Sequence, residues 1–128
     1  MSKIYIILPI LVSLLTFSSH SNGEWTYIGE VEGGNKFYID YDRIKKTNNY
    51  VYVWVMTDLL EPRVSSLSYM SYYKVNCETP EKFKDLQNRV CKDGMGKGEC
   101  DSLGGTIEWK YPVPNSKMEF VSDTVCSQ

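Results

Sequence analysis

The sequence offers few residues whose type and spacing suit catalysis. Asp40 and Asp42 flank Tyr41 and could suggest an acid–base pair or a calcium loop, but the further oxygen ligands and the glycine of a calcium loop are missing. The chain has a single histidine, His20, which lies in the N-terminal leader. Histidine-dependent catalysis is therefore excluded for the part of the chain after the leader. We interpret the two carboxylates as turn and cap residues, and predict a protein that is not an enzyme and uses no metal or other cofactor.

The four cysteines could form a zinc site, a redox pair or two disulfides. None of them has the Cys-x-x-Cys spacing typical of zinc and redox sites. Cys91 and Cys100 flank a glycine-rich segment that can bend back on itself, so we pair these two and, by remainder, Cys77 with Cys126. The stretch 94–98 lacks the spacing of a phosphate loop, and we interpret it as the tip of a disulfide-closed hairpin.

Aromatic side chains give the strongest indication of a binding surface. The clearest strand, Tyr50–Asp58, carries valines at odd positions and aromatic or apolar residues at even positions, so that the two types face opposite sides. Both faces are apolar, which predicts a central strand covered on both sides. Tyrosine and tryptophan are enriched at protein interfaces. The candidate interface is Tyr50, Tyr52, Trp54, Met56 and Tyr72. The competing interpretation is core packing, because a small domain has few other large residues to bury.

A second candidate surface is a small basic cluster that could hold an acidic ligand or a glycan sulfate. Its members are Lys36, Arg43, Lys45 and Lys46. The alternative is a solvated face of an edge strand. Lysine and arginine total 14 against 16 acidic residues, a net charge of -2, which argues against nucleic acid or an anionic membrane as the partner.

The N-terminus has the order of a secretory signal peptide: Lys3, an apolar run over Ile4–Phe17, then small residues. As a helix this run would span roughly 21 Å, less than the roughly 30 Å of a membrane core. We predict a signal peptide over residues 1–22, with cleavage between 21 and 24, and one domain over 23–128. No cysteine follows the run to accept a lipid. The alternative is a short uncleaved anchor.

Alternation of apolar and polar residues predicts a small antiparallel sheet, with strands at 25–31, 36–40, 50–58, 65–77 and 104–111. Residues 41–46 form a polar excursion, and Pro62 marks 59–64 as a connection. A capping box at Ser116–Glu119 starts a helix to Val125, whose apolar stripe contains Met118 and Val121. The segment 78–90 is compatible with a helix capped at Thr79–Pro80 or with a strand over Lys82–Arg89.

A series of short motifs follows the leader in this order: Trp25, Ile28–Gly29, Phe37–Asp40, Val51–Trp54, Tyr73–Cys77, Gly94–Gly98, Trp109–Pro114 and Val125–Cys126. Together they resemble the bacterial surface-adhesin protein E-like domain family over nearly all of the chain after the leader. The resemblance implies an α+β domain of about five to six antiparallel strands with a short C-terminal helix tied down by the Cys77–Cys126 disulfide. It also favours the strand over Lys82–Arg89, which we adopt.

In function, the resemblance implies an adhesin that binds host matrix or serum glycoproteins, such as laminin and vitronectin, and forms homodimers. The family includes a lipoprotein, and this chain departs from it in two ways. It has no lipid-accepting cysteine, and it adds the Cys91–Cys100 pair. We therefore expect an exported, adhesin-like binding domain, located in the periplasm or at the cell surface or secreted, that uses its aromatic sheet face. The alternative is a periplasmic accessory subunit of an envelope complex.

Overall fold

The computed structural model describes residues 24–31 and 33–127. The predicted signal peptide and His20 lie outside these residues. Within them, seven strands and one α-helix are present: β1 Thr26–Glu30, β2 Lys36–Ile39, β3 Lys45–Thr47, β4 Tyr50–Arg63, β5 Ser66–Asn76, β6 Lys82–Cys91, β7 Cys100–Gly104 and α1 Lys117–Cys126. The α+β prediction is confirmed, with seven strands instead of five or six.

All strands belong to one antiparallel sheet in the order β1-β2-β4-β5-β6-β7. The short strands β2 and β3 pair with different halves of β4, on the edge that β5 leaves free. Strand β4 is therefore the centre of the sheet, as its apolar sequence predicts. Both predicted disulfides, Cys77–Cys126 and Cys91–Cys100, are also present.

The main core lies between α1 and one face of the sheet. The valines of β4, Val51, Val53 and Val55, are almost completely buried beneath the helix. The helix contributes the predicted apolar stripe, Met118, Val121 and Val125, all buried. Its N-terminus is capped as the sequence indicates: the Ser116 hydroxyl accepts a hydrogen bond from the Glu119 amide at 3.3 Å.

Two segments between strands differ from the prediction. Strand β4 continues through the expected connection at 59–64, past Pro62, to a hairpin tip where Val64 and Ser65 have positive φ. Strand β2 pairs with β4 only as far as Asp58, so the missing N–H of Pro62 removes no bond to β2. The polar excursion forms a 3-10 turn at Tyr41–Arg43 followed by β3.

The prediction of a last strand at 104–111 is wrong, since the last strand, β7, covers Cys100–Gly104. The disulfide puts Cys100 directly opposite Cys91, so pairing with β6 begins there and β7 ends at Gly104. The following segment continues along β6: the Thr106 amide donates to the Asp85 carbonyl at 2.8 Å, and Lys110 and Phe83 form a bridge with backbone hydrogen bonds of 2.8 and 2.9 Å. The strand favoured over Lys82–Arg89 is confirmed as part of β6.

We predict that the two disulfides contribute unequally to stability. They close loops with sequence separations of 49 and 9 residues. The loop-entropy model assigns them upper values of about 4 and about 2.7 kcal/mol. Replacing Cys77 and Cys126 by serine should therefore lower the free energy of unfolding in urea more than replacing Cys91 and Cys100. An equal or reversed effect would contradict the prediction.

Candidate functional site

The even-numbered side chains of β4 lie on the face of the sheet opposite α1. Trp54 is directly across from Tyr72 of β5, and their rings stack with centroids 4.9 Å apart. Tyr52 contacts the same tyrosine at 6.1 Å. All three side chains are half-buried. We call Tyr50, Tyr52, Trp54 and Tyr72 the aromatic face.

The pKa of Tyr72 lies above its ordinary value. Burial of the phenol is the main cause, and the neighbouring Tyr52 adds to it. The Tyr72 hydroxyl therefore keeps its proton at physiological pH and remains a hydrogen-bond donor.

Met56 does not share this exposure, although it was predicted as part of the interface. It is completely buried, because the loop 94–98 folds over this end of the face. The Met95 amide donates to the Asp58 carboxylate at 2.8 Å, and the Gly96 amide donates to the Ser68 hydroxyl at 2.8 Å. Met56 therefore belongs to a small second core and cannot contact a partner directly. The prediction that β4 is covered on both sides holds only at this end.

At the other end, Tyr50 stacks on Trp109 at 6.1 Å, with the ring planes 22° apart. Trp109 is not among the predicted site residues, since the sequence pattern does not show which strand its segment lies beside. The Lys110–Phe83 bridge fixes the segment that carries it. The aromatic face is thus an open strip between the loop 94–98 and Trp109.

The predicted basic patch does not form one cluster. Lys45 pairs with Tyr52, and therefore lies on the aromatic face, whereas Lys46 pairs with Val51 on the opposite face. Lys36 pairs with Asp58, roughly 20 Å along β4 from the Lys45 position. Arg43 lies over the Trp54 ring, 5.9 Å from its centroid, and also pairs with the Asp40 carboxylate.

Three lysines that were not predicted as site residues lie at the Trp109 end: Lys74, Lys82 and Lys84. Lys74 could have been found from the alternation of β5, which puts it on the same face as Tyr72. The positions of Lys82 and Lys84 depend on β6 being a strand, which the residue pattern alone left open.

Asp40 has the predicted capping role, and Asp42 lies in the turn that it caps. Asp40 is fully buried, and its side chain accepts a hydrogen bond from the Asp42 amide at 3.1 Å at the start of the 3-10 turn. Among residues 24–31 and 33–127, no group of three or more histidine, cysteine or acidic side chains could hold a metal ion. In the same part of the chain, no helix has the length and apolar character needed to cross a membrane.

An open cleft of about 760 Å³ adjoins the aromatic face. Two tryptophans, Trp25 and Trp54, contribute apolar walls, and three cations, Arg43, Arg89 and Lys97, contribute positive charge. The Nε atom of Arg89 is buried and makes no hydrogen bond within the described residues. The cleft can therefore accept a side chain that is apolar in part and negatively charged.

Comparison with known proteins supports the resemblance seen in the sequence. A family model described as Surface-adhesin protein E matches residues 25–127. Crystal form II of Haemophilus influenzae protein E superimposes with a TM-score of 0.65 at 17% identity, covering 88% of this chain and 96% of that chain. A second structure of that protein gives a TM-score of 0.63, at 17% identity and 87% and 91% coverage. At this identity the likeness shows a shared fold. A search of curated proteins finds no match.

We predict that Gly96 is required to close one end of the aromatic face. It has a φ of +72°, and a Cβ at this position would lie 3.1 Å from the Met70 sulfur. Gly96→Ala should cost about 1–2 kcal/mol of stability because of the left-handed backbone. Gly104→Ala is the control, since no atom lies within 4 Å of its Cβ position. Thermal unfolding of both variants tests this; equal stability would show that the loop conformation carries no strain.

Proposed function

The chain belongs to the surface-adhesin protein E family, and from this premise we propose that it is an exported, non-enzymatic binding protein. It engages host or envelope proteins through the aromatic face. The observation that carries the proposal is the half-buried stack of Tyr52, Tyr72 and Trp54 on the side of the sheet that α1 does not cover.

Stacked aromatic residues suit a protein interface for a physical reason. Each ring offers a large apolar area and loses little conformational entropy on binding, because it has only two side-chain torsions. Here the register of β4 and β5 already holds Trp54 against Tyr72. A partner would thus meet a rigid surface, with the phenol hydroxyls available for hydrogen bonds.

The cleft beside Trp54 supplies an anchor point. Binding energy at interfaces is concentrated in a few side chains that fill pockets near the centre. The cleft joins tryptophan walls with the charges of Arg43, Arg89 and Lys97. A partner segment with an acidic residue next to an apolar one would complement it. Laminin and vitronectin are the first host proteins to test, and a second copy of this chain is the simplest alternative partner.

Residues 1–22 would direct export, leaving residues 23–128 as the binding domain. Display at the cell surface or release would follow from an adhesin role. One observation favours a second candidate, a periplasmic accessory subunit of an envelope complex. The chain has no cysteine after its apolar run that could carry a lipid anchor.

We predict that Tyr52→Ala and Trp54→Ala weaken binding to the partner without unfolding the domain. Hot-spot aromatic residues typically contribute about 2 kcal/mol or more, so each change should reduce affinity by about thirtyfold or more. The measurement is surface plasmon resonance against immobilised laminin and vitronectin. Tyr111→Ala is the matched control, since Tyr111 is 63% exposed and lies outside the aromatic face.

Saturable binding that all three variants retain would place the interface elsewhere on the domain. Absence of saturable binding to both glycoproteins would refute them as partners. Analytical ultracentrifugation of the wild-type protein and Trp54→Ala tests whether the partner is a second copy of this chain. If two copies associate through the aromatic face, the wild type should dimerise and Trp54→Ala should not.

Location is tested by protease treatment of intact and permeabilised cells that produce a tagged protein, with a periplasmic protein as the control. The adhesin role predicts cleavage in intact cells or recovery of the protein in the medium. Protection until permeabilisation would contradict surface display and support the periplasmic accessory role.

A further inference from the structure

Three lysines are aligned across the sheet on the same side as the aromatic face. Lys45 of β3 pairs with Tyr52 of β4, Tyr52 pairs with Lys74 of β5, and Lys74 pairs with Lys84 of β6. Directly paired residues of antiparallel strands project to the same face. We call Lys45, Lys74 and Lys84 the lysine row. With adjacent strands about 4.8 Å apart, the row extends over about 14 Å.

This arrangement is electrostatically unfavourable by itself. Like charges placed directly opposite each other in a sheet destabilise it, and Lys74 and Lys84 are such a pair. Within the described residues, the ion pairs are Arg43–Asp40 and Lys92–Glu99, so no carboxylate neutralises the row. A concentration of positive charge on one face of a chain with a net charge of -2 marks a site for an anion.

Aromatic rings hold Lys74, Lys82 and Lys84 in place. The Lys74 ammonium lies 4.3 Å from the centroid of the Tyr50 ring, and the Lys84 ammonium lies 4.7 Å from that of Trp109. Lys82 approaches the same indole at 5.4 Å. These cation–π contacts orient the side chains but do not neutralise their charge.

Trp109 is itself held by the backbone of its own segment. Lys110 is bonded to Phe83 of β6, and the Thr106 hydroxyl donates to the Asp85 carboxylate at 2.9 Å. The indole is thus fixed over Lys82 and Lys84. Lys82 and Lys84 are therefore already in position before a ligand binds.

We propose that the lysine row, with Lys82 and the phenols of Tyr50 and Tyr52, binds a sulfated polysaccharide. This site goes beyond the proposed function, because it does not require a protein partner. The ammonium groups would donate hydrogen bonds to sulfate and carboxylate oxygens. The phenol hydroxyls would meet sugar hydroxyls.

The spread of the charges favours a polyanion over a single small anion. Lys74, Lys82 and Lys84 surround the Trp109 ring, whereas Lys45 lies on the far side of Tyr52, so the positive charge extends from β6 across β5 and β4 to β3. A lone phosphate or carboxylate would contact only one part of this surface. A chain with a repeated charge can contact each part in turn.

The rings argue for a polysaccharide over a nucleic acid. Single-stranded nucleic acids bind proteins by stacking bases on open aromatic faces. Here Tyr50 and Trp109 stack on each other, and lysines lie over both rings. Duplex binding needs a strongly basic surface, which an acidic chain with one short row does not supply.

The test is isothermal titration of the purified protein with heparin at low salt, with neutral dextran and a thymidine oligonucleotide as comparison ligands. The double variant Lys74→Gln/Lys84→Gln should bind heparin about tenfold more weakly than the wild type. Lys46→Gln/Lys92→Gln is the matched control. It removes the same charge, but Lys46 faces the other side of the sheet and Lys92 is paired with Glu99. Its affinity should stay within about twofold of the wild type.

Thermal unfolding of each variant confirms that the fold is retained, and Lys74→Arg/Lys84→Arg should keep heparin binding because it keeps the charge. Trp54→Ala should also keep it, which separates this site from the protein-binding role. Equal weakening by both glutamine variants would overturn the proposal, as would absence of heparin binding. If the oligonucleotide binds as tightly as heparin and with the same dependence on Lys74 and Lys84, the proposal of a polysaccharide ligand is wrong and the site binds nucleic acid.

Discussion

One short helix covers one face of a seven-stranded sheet, and this asymmetry determines most of the molecule. The pleat of β4 sends Val51, Val53 and Val55 toward α1 and the aromatic residues the other way. The described residues provide no second helix for the other side. Half-exposed tyrosine and tryptophan are tolerated there, because their polar atoms stay hydrated while their rings pack on each other.

The two disulfides act on opposite faces of the sheet. Cys77–Cys126 joins the end of β5 to the end of α1 and so holds the helix on the valine core. Cys91–Cys100 closes the hairpin whose loop covers Met56 and Met70. One bridge therefore stabilises the buried side, and the other limits how much of the aromatic side remains open. The aromatic face remains open because α1 is held on the other side of the sheet and the loop 94–98 covers only one end of this side.

Local patterns predicted much of this correctly, and distant contacts explain the failures. The separation of valines from aromatics in β4 follows from the period of two, which is a property of neighbouring residues. Met56 fits that pattern, but a loop forty residues later along the chain buries it. The basic patch failed for the converse reason. Lys45 and Lys46 are neighbours in sequence and face opposite sides, whereas Lys74 and Lys84 are brought together only by the pairing of β5 with β6.

The protein-binding strip and the lysine row meet at Tyr52. On this face of the sheet, the next cross-strand pair is Trp54 and Tyr72, which lies about 7 Å along the strands from Tyr52 and Lys74. A protein side chain on Trp54 and Tyr72 and a sugar chain on the lysine row can therefore lie side by side on this face, with Tyr52 between them as a shared contact. A glycoprotein that carries a sulfated sugar chain could engage both at once, and the second contact would then form at high effective concentration. A weak polysaccharide site next to a weak protein site would in that case select for partners that carry both chemistries.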